Sequence, residues 1–250
     1  MTSGYDIKGK IVLVTGANRG IGKALVEGFL KHGAIKVYAA VRNLPSAEPL
    51  VETHGSSKVV PIYIDLQKPE SIEEAAKHVR DVQVVVNNAG VLDMAEPLSE
   101  NAIAALKHQM EVNVYGLVHM AQHFVPILEL NGGGSLVQIN STSSLRCPNP
   151  KFFAYAASKH AAFAVVQGLR ASLKDTLVVS VHPGPIATDM VDQFGGRDRS
   201  EPAFQVADAV VDALRKGTFL VYPDTKSKAI GKAYESFATS VIEPNSKCSK

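Results

Sequence analysis

The sequence predicts an α/β fold: a doubly wound parallel sheet of about seven strands with helices on both faces. Short apolar runs recur along the chain with amphipathic stretches between them, so strand and helix alternate about seven times. The runs are rich in Val and Ile and lack a clear apolar–polar alternation, as strands covered on both faces do. No linker, compositional shift or longer repeat divides the chain, so one domain over residues 1–250 is expected.

The predicted strands are Ile11 to Thr15, Lys36 to Val41, Lys58 to Ile64, Val82 to Val86, Ser135 to Ile139, Leu177 to His182 and Phe219 to Tyr222. The first predicted helix, Gly20 to Lys31, has Ile21, Ala24, Leu25 and Phe29 on one side. A long one is predicted over Asn101 to Leu130, where Ile103, Leu106, Met110, Val114 and Leu117 recur at three and four. Ala154 to Leu173, Ala203 to Arg215 and Ser227 to Ile242 complete the set.

The totals narrow the functional classes. A formal charge of +2 with no run of like charges gives no basic stripe, so no nucleic-acid partner is expected. Apolar runs are of strand length, far below the roughly 20 residues of a membrane span, and Met1 to Lys10 lacks an apolar signal core. The two cysteines, Cys147 and Cys248, form no CxxC pair, and unpaired thiols suit a reducing compartment. A cytoplasmic protein without membrane contact is the expectation. The eight histidines show no HExxH or spaced carboxylate cluster, so no metal site is expected. Asn140-Ser141-Thr142 matches a glycosylation sequon, which reads as coincidence behind an apolar strand.

Thr15-Gly16-Ala17-Asn18-Arg19-Gly20-Ile21-Gly22 follows the first strand and opens the first helix. Glycines let the backbone turn tightly and approach a pyrophosphate, whose charge sits on the helix N-terminus. The spacing is Gly-x-x-x-Gly-x-Gly, and no Gly-Lys-Ser/Thr follows, so it is not a P-loop. The plainer reading is a turn that packs helix on strand; the strand–turn–helix context favours a nucleotide. At the end of the second strand, where an NAD enzyme places a carboxylate on the ribose, the chain runs Ala39-Ala40-Val41-Arg42-Asn43. No acid is present. Arg42, with Arg19 in the glycine loop, would clasp a 2′-phosphate by charge-assisted bonds, which favours NADP(H); either alone reads equally as a solvated surface arginine.

Tyr155-Ala156-Ala157-Ser158-Lys159 puts a phenol and an ammonium one helical turn apart on one face. A free phenol titrates near pH 10, and a neighbouring cation lowers that value, so such a tyrosine can exchange a proton with a carbonyl or alcohol oxygen. Alone, the pair reads as well as a surface Tyr and a solvated Lys. It stands, however, with the glycine loop, Asn87-Asn88-Ala89-Gly90 after the fourth strand, Asn113-Val114-Tyr115-Gly116 in the long helix, a serine cluster after the fifth strand, and Pro183-Gly184-Pro185-Ile186-Ala187-Thr188 after the sixth. With these motifs in this order the chain resembles the short-chain dehydrogenase/reductase family from about Gly9 to the last strand.

The resemblance implies a Rossmann-type fold, hydride transfer between NADP(H) and a small-molecule carbonyl or alcohol, and a set of roles. Tyr155 would be the catalytic acid/base. Lys159 would lower its pKa and bind the nicotinamide ribose. Asn113 would hold a water linking Lys159 to solvent; otherwise it is a helix-kinking polar residue. The cofactor would meet Gly16, Asn18, Arg19, Gly20, Ile21, Gly22, Arg42, Asp65, Leu66, Asn87, Asn88, Gly90, Tyr155, Lys159, Pro183, Gly184, Ile186 and Thr188. Asp65 would contact the adenine, unless it is a helix cap, and Pro183-Gly184 reads otherwise as a plain turn. The polarising hydroxyl is Thr142 by counting back thirteen residues from Tyr155, and Ser141 by matching the strand end. Ser141 is preferred, because a strand fixes where a side chain points, and Ser143 is expected to line the pocket too. Cys147, Phe152 and Phe153 would add apolar wall, or are packing residues, and Phe194-Gly195-Gly196 would form a lid. A homodimer or homotetramer through the Ala-rich helix from Ala154 follows by analogy. The rival readings are an NADP-binding regulatory or scaffold protein without turnover, and a sugar-nucleotide epimerase. The four-residue catalytic set counts against the first, and the short C-terminal region and glycine spacing against the second.

Overall fold

The computed structural model describes residues 4–237. The apolar runs form strands β1 (Ile11–Thr15), β2 (Lys36–Val41), β3 (Val59–Tyr63), β4 (Val84–Asn87), β5 (Ser135–Ile139), β6 (Leu177–Val181) and β7 (Leu220–Val221). They pair in parallel as one seven-stranded sheet in the order β3-β2-β1-β4-β5-β6-β7. Parallel neighbours require crossovers, which carry helices over the two faces. The chain winds from β1 out to β3, then returns to β4 and winds the other way. The reversal between β1 and β4 opens a crevice at the carboxyl ends of the strands, where ligands of such sheets bind.

The crossovers contain α1 (Gly20–Lys31), α2 (Glu48–His54), α3 (Pro69–His78), α4 (Ala102–Met110), α5 (Gly116–Leu130), α6 (Phe153–Ser172), the single turn α7 (Asp189–Asp192), α8 (Phe204–Lys216) and α9 (Thr225–Phe237). Helices α2 and α3 are additional to those the pattern predicts. Pro69 opens α3, where a missing N–H costs nothing, and Ile72, Ala75 and Ala76 face the sheet. The last predicted helix coincides with α9 as far as residue 237; residues 238–242 and Cys248 lie outside the described residues.

Packing explains why the strands lack a two-residue alternation. In β1, Val12 and Val14 join Leu25, Phe29, Val210 and Leu214 in the core beneath α1 and α8, while Leu13 joins Ile72, Met120 and Phe124 beneath α3 and α5. β4 divides in the same way, Val84 and Val86 against Val85. Each successive side chain therefore leaves water, on one face or the other.

The predicted helix Asn101 to Leu130 is interrupted. A π-helical turn, Glu111–Tyr115, separates α4 from α5, and the Gly116 N–H bonds back to the Glu111 carbonyl. Such turns recur at functional sites because they re-aim one side chain. Here it is Asn113, which is buried and bonded to both backbone groups of Val91, just beyond β4.

Candidate active site

Thr15 ends β1 and ties the two halves of the sheet together. Its Oγ1 accepts the N–H groups of Asn88 (2.9 Å) and Ala89 (3.0 Å), and Asn88 Nδ2 donates to the Thr15 carbonyl at 2.8 Å. The glycine loop then turns into α1. Gly20 has φ +52°, the left-handed region that favours glycine. A Cβ at Gly22 would stand 2.0 Å from the Gly16 carbonyl oxygen and 2.7 Å from Asn88 Nδ2, so only glycine fits. Arg19, the N-cap of α1, makes no side-chain cap, and the first turn holds no acid. The uncapped helix start is thus an anion site by geometry and dipole. Gly22→Ala is expected to cost about 1–3 kcal/mol of stability by overpacking and to weaken dinucleotide binding, read by denaturant unfolding and a binding titration.

All of the residues expected at the cofactor except Asn87 line one cleft of about 570 Å³ at the carboxyl ends of the strands. Asn87 is buried beside it, and both of its amide atoms lack a partner among the described residues. Arg42 is exposed at the tip of β2 and has no ion-pair partner among the described residues. Arg19 differs from expectation, because its guanidinium is paired with Asp189 of α7 at 2.9 Å. Both side chains are more than half exposed, so the pair is weak and readily exchanged for a phosphate. Asp65 lines the cleft and is not the cap of α3, which is Lys68; its Oδ1 accepts the Gln67 N–H in a local turn. The Gly184 N–H donates to Asp224 Oδ2 at 2.7 Å, which fixes the Pro183-Gly184 turn from behind. Asp224 is itself buried and accepts the Ser227 N–H, anchoring the first turn of α9. It is a supporting residue that sequence reasoning missed, although an Asp three residues before a Ser at a helix start is a capping signal.

At the other end, α6 presents Tyr155 and Lys159 on its buried face. The Lys159 ammonium donates to the Ile139 carbonyl at 2.9 Å and lies 5.7 Å from the centre of the Tyr155 ring. Burial brings the Lys159 pKa down to about 8. Burial also pushes the Tyr155 phenol up to about 12, with a hydrogen bond to Ser141 pulling the other way. The expected depression of the phenol is therefore not what this structure displays: desolvation outweighs the Ser141 hydrogen bond, and the phenol holds its proton.

Past β5, the Asn140 N–H donates to Val181 and the Thr142 N–H to Pro183, continuing the ladder with β6. Alternation along that extension turns Ser141 toward the cleft and Thr142 into the core, where it is buried. Ser141 Oγ accepts the Ser143 N–H at 3.1 Å. Ser143 departs from expectation: its side chain is buried and lies outside the cleft lining, so it supports Ser141 through its backbone. Nor do the expected aromatic and thiol walls line the cleft. Cys147 is exposed, with its thiol on the Asn149 carbonyl, and Phe153 packs against the cluster of Ala95, Ala105 and Ala154. Phe152 meets Phe194 edge-on at 5.1 Å, while Ser46, Val91, Leu92, Asp93 and Val112 are lining residues that sequence reasoning did not name.

Asn113 stands behind this group. Its amide donates to the Val91 carbonyl and to Ser158 Oγ, both at 3.0 Å, and its Oδ1 accepts the Val91 N–H at 2.9 Å. Ser158 in turn donates to the Tyr155 carbonyl at 2.8 Å. Both amide hydrogens are used, so a water could meet this side chain only at Oδ1.

A strand-ended crevice with a glycine-turned helix start at one end and a Ser–Tyr–Lys group at the other, its Tyr and Lys buried, defines a dinucleotide-dependent oxidoreductase class. The profile of short chain dehydrogenases matches residues 10–198, and the chain belongs to the short-chain dehydrogenase/reductase family. It is 36% identical over 233 residues to 1-deoxy-11-beta-hydroxypentalenate dehydrogenase of Streptomyces exfoliatus, covering 88% of this chain and 84% of that protein. It is 31% identical over 245 residues to NADPH-dependent 3-dehydrocapnine reductase of Ornithobacterium rhinotracheale, covering 91% and 84%. Among solved structures, a short chain dehydrogenase from Burkholderia cenocepacia J2315 in complex with NADP superposes with a TM-score of 0.83 at 32% identity, covering 96% of this chain and 98% of that one.

Proposed function

We propose that this protein is an NADP(H)-dependent oxidoreductase that reduces a ketone or aldehyde, or oxidises the corresponding alcohol. The observation that carries the reading is that Ser141, Tyr155 and Lys159 share one cleft with the uncapped start of α1 and with Arg42, which is unpaired among the described residues. The donor set fits the cofactor: helix N–H groups for the pyrophosphate, Arg42 for a 2′-phosphate, and no acid at the tip of β2. The NADP named in the Burkholderia structure and the NADPH named for the Ornithobacterium reductase support the same choice. Arg42→Ala is expected to weaken NADPH binding roughly 10- to 100-fold, the worth of a charge-assisted hydrogen bond, with NADH binding little changed, read by fluorescence titration.

The cofactor, when bound, supplies the hydride. Tyr155 gives its proton to the carbonyl oxygen as charge builds there, and burial keeps that proton on the phenol until the reaction calls for it. The Ser141 hydroxyl donates a hydrogen bond to the same oxygen. The Lys159 ammonium, 5.7 Å from the ring centre, stabilises the phenolate that remains. With its pKa near 8, Lys159 is mostly charged at neutral pH and loses that charge above it. Reduction is therefore expected to hold steady below pH 8 and decline as pH rises through it, in a profile of kcat against pH; a rate that climbs through that range would contradict the role of Lys159.

The substrate end, with Leu92, Met190 and Val191, suits an apolar small molecule. The exposed Leu98, Ile103 and Tyr115, with Ala157 and Ala164 on the outer face of α6, support assembly as a homodimer or homotetramer, which light scattering tests. No described helix is long and apolar enough to cross a membrane, and the thiol of Cys147 is free, both compatible with a cytoplasmic setting. A spectrophotometric assay of NADPH consumption over a panel of ketones and aldehydes tests the reading.

A further inference from the structure

We infer that His182 is a positioning residue: through Ser144 it sets the backbone of Ser141, and so aims the Ser141 hydroxyl at Tyr155. This rests on the reaction proposed above, which gives Ser141 its role. His182 follows β6 and is fully buried, and nothing in the proposed chemistry uses it. Its ring is wedged between Phe163, edge-on at 4.7 Å between ring centres, and Tyr222 at 5.5 Å. Both ring nitrogens are engaged. Nδ1 lies 2.7 Å from Ser144 Oγ and 3.4 Å from the Ser141 carbonyl, and Nε2 lies 2.8 Å from Ser180 Oγ.

The donors around the ring fix the position of every proton. Ser144 donates its only hydroxyl hydrogen to the Ser141 carbonyl. Nδ1 must then be the donor to Ser144, which leaves Nε2 as an acceptor. Ser180 supplies that hydrogen, and Ser180 Oγ in turn accepts from Asn140 Nδ2 at 2.9 Å. The chain runs one way: Asn140 to Ser180 to His182 to Ser144 to Ser141. It begins and ends on adjacent residues of the segment that carries the substrate-polarising hydroxyl. Burial holds the imidazole down to about 3, so it stays neutral wherever the enzyme works. A neutral ring with one fixed tautomer is what a one-way chain requires, whereas a ring that only filled space would need no such pattern of donors.

The ladder bonds of Asn140 and Thr142 hold the two flanking peptides, and the Ser144 hydroxyl holds the Ser141 carbonyl between them. Without His182, Ser144 is released from its buried donor and that carbonyl loses its fixed direction. The glycine loop and Arg42 lie at the other end of the cleft, so the contacts expected to hold the cofactor's phosphates should not feel the change.

The test combines three variants with one spectroscopic measurement on the full chain. His182→Phe keeps ring volume and removes both nitrogens. His182→Asn restores an N–H donor close to the position of Nδ1. Ser144→Ala removes one oxygen. His182→Phe and Ser144→Ala are expected to lower kcat roughly 10- to 100-fold, as misplacement of a group at the reacting oxygen does. NADPH affinity should stay unchanged, and His182→Asn should recover most of the loss. Nitrogen-15 NMR of His182 in the wild type should give the neutral tautomer with its proton on Nδ1. A folded His182→Phe with undiminished kcat, an Asn variant no better than the Phe variant, or a proton on Nε2 would each overturn the inference. If His182→Phe does not fold, Ser144→Ala decides in its place. If the wild type reduces no carbonyl, the proposed reaction is what fails, and the tautomer measurement still judges the hydrogen-bond chain on its own.

Discussion

Replacing Tyr155 with phenylalanine is expected to lower carbonyl reduction roughly 10²- to 10⁴-fold, the range supplied by a positioned acid, and to leave NADPH affinity unchanged. The phenylalanine ring keeps the packing of a side chain that is only 9% exposed, so the folded state survives. What is lost is the one proton that burial keeps on the phenol against the pull of the Ser141 hydrogen bond. Ser141 and Lys159 remain, so a small residual rate from hydrogen bonding and orientation alone is expected. Kinetics of NADPH consumption, paired with a binding titration, separate the two effects. A variant that binds NADPH normally and turns over within a few-fold of wild type would remove Tyr155 from the acid's place.

Lys159→Met should damage the reaction and strengthen the fold. Lys159 is 3% exposed, and burial brings its pKa from 10.5 down to about 8. Because the folded value lies below the unfolded one, the unfolded chain holds the proton more tightly between those two pH values. The penalty on stability is thus fully present below pH 8 and fades as pH rises toward 10.5. At pH 7 it is on the order of 3 kcal/mol. Methionine of similar length escapes it but abandons the hydrogen bond to the Ile139 carbonyl, so a net gain of about 1–2 kcal/mol is expected. That gain should shrink as pH is raised from 8 toward 10.5. The rate should fall roughly 100-fold, because no cation remains to hold the phenolate. Denaturant unfolding at two pH values and a rate measurement check both halves; a variant less stable than wild type at pH 7 would contradict the account of the buried charge.

Much of the fold was legible because buried parallel strands announce themselves. Val84-Val85-Val86 has no alternation since Val84 and Val86 serve one core and Val85 the other. Helices α2 and α3 were harder, for they are short and begin among prolines that read as loop. The Tyr155–Lys159 pair was visible as a spacing, but its electrostatics were not. Spacing alone cannot report that both groups lose water, which reverses the expected direction of the tyrosine shift. Ser141 and Thr142 were separable only by strand register, which the ladder from Asn140 and Thr142 to β6 supplies. Contacts between distant segments, such as Arg19 with Asp189 and Gly184 with Asp224, leave no local mark in the sequence. His182 looked like one more residue before a Pro-Gly turn until the partners of its two nitrogens were known.

The central claim is that the cleft performs NADPH-dependent reduction rather than merely holding the dinucleotide. The most direct measurement follows the absorbance of NADPH, and of NADH in parallel, as the protein meets a panel of apolar ketones and aldehydes. The account predicts that at least one carbonyl consumes NADPH with an equal yield of alcohol, and that NADH serves poorly. Tight NADPH binding with no consumption by any carbonyl would contradict it and point to a protein that uses this fold to sense the cofactor.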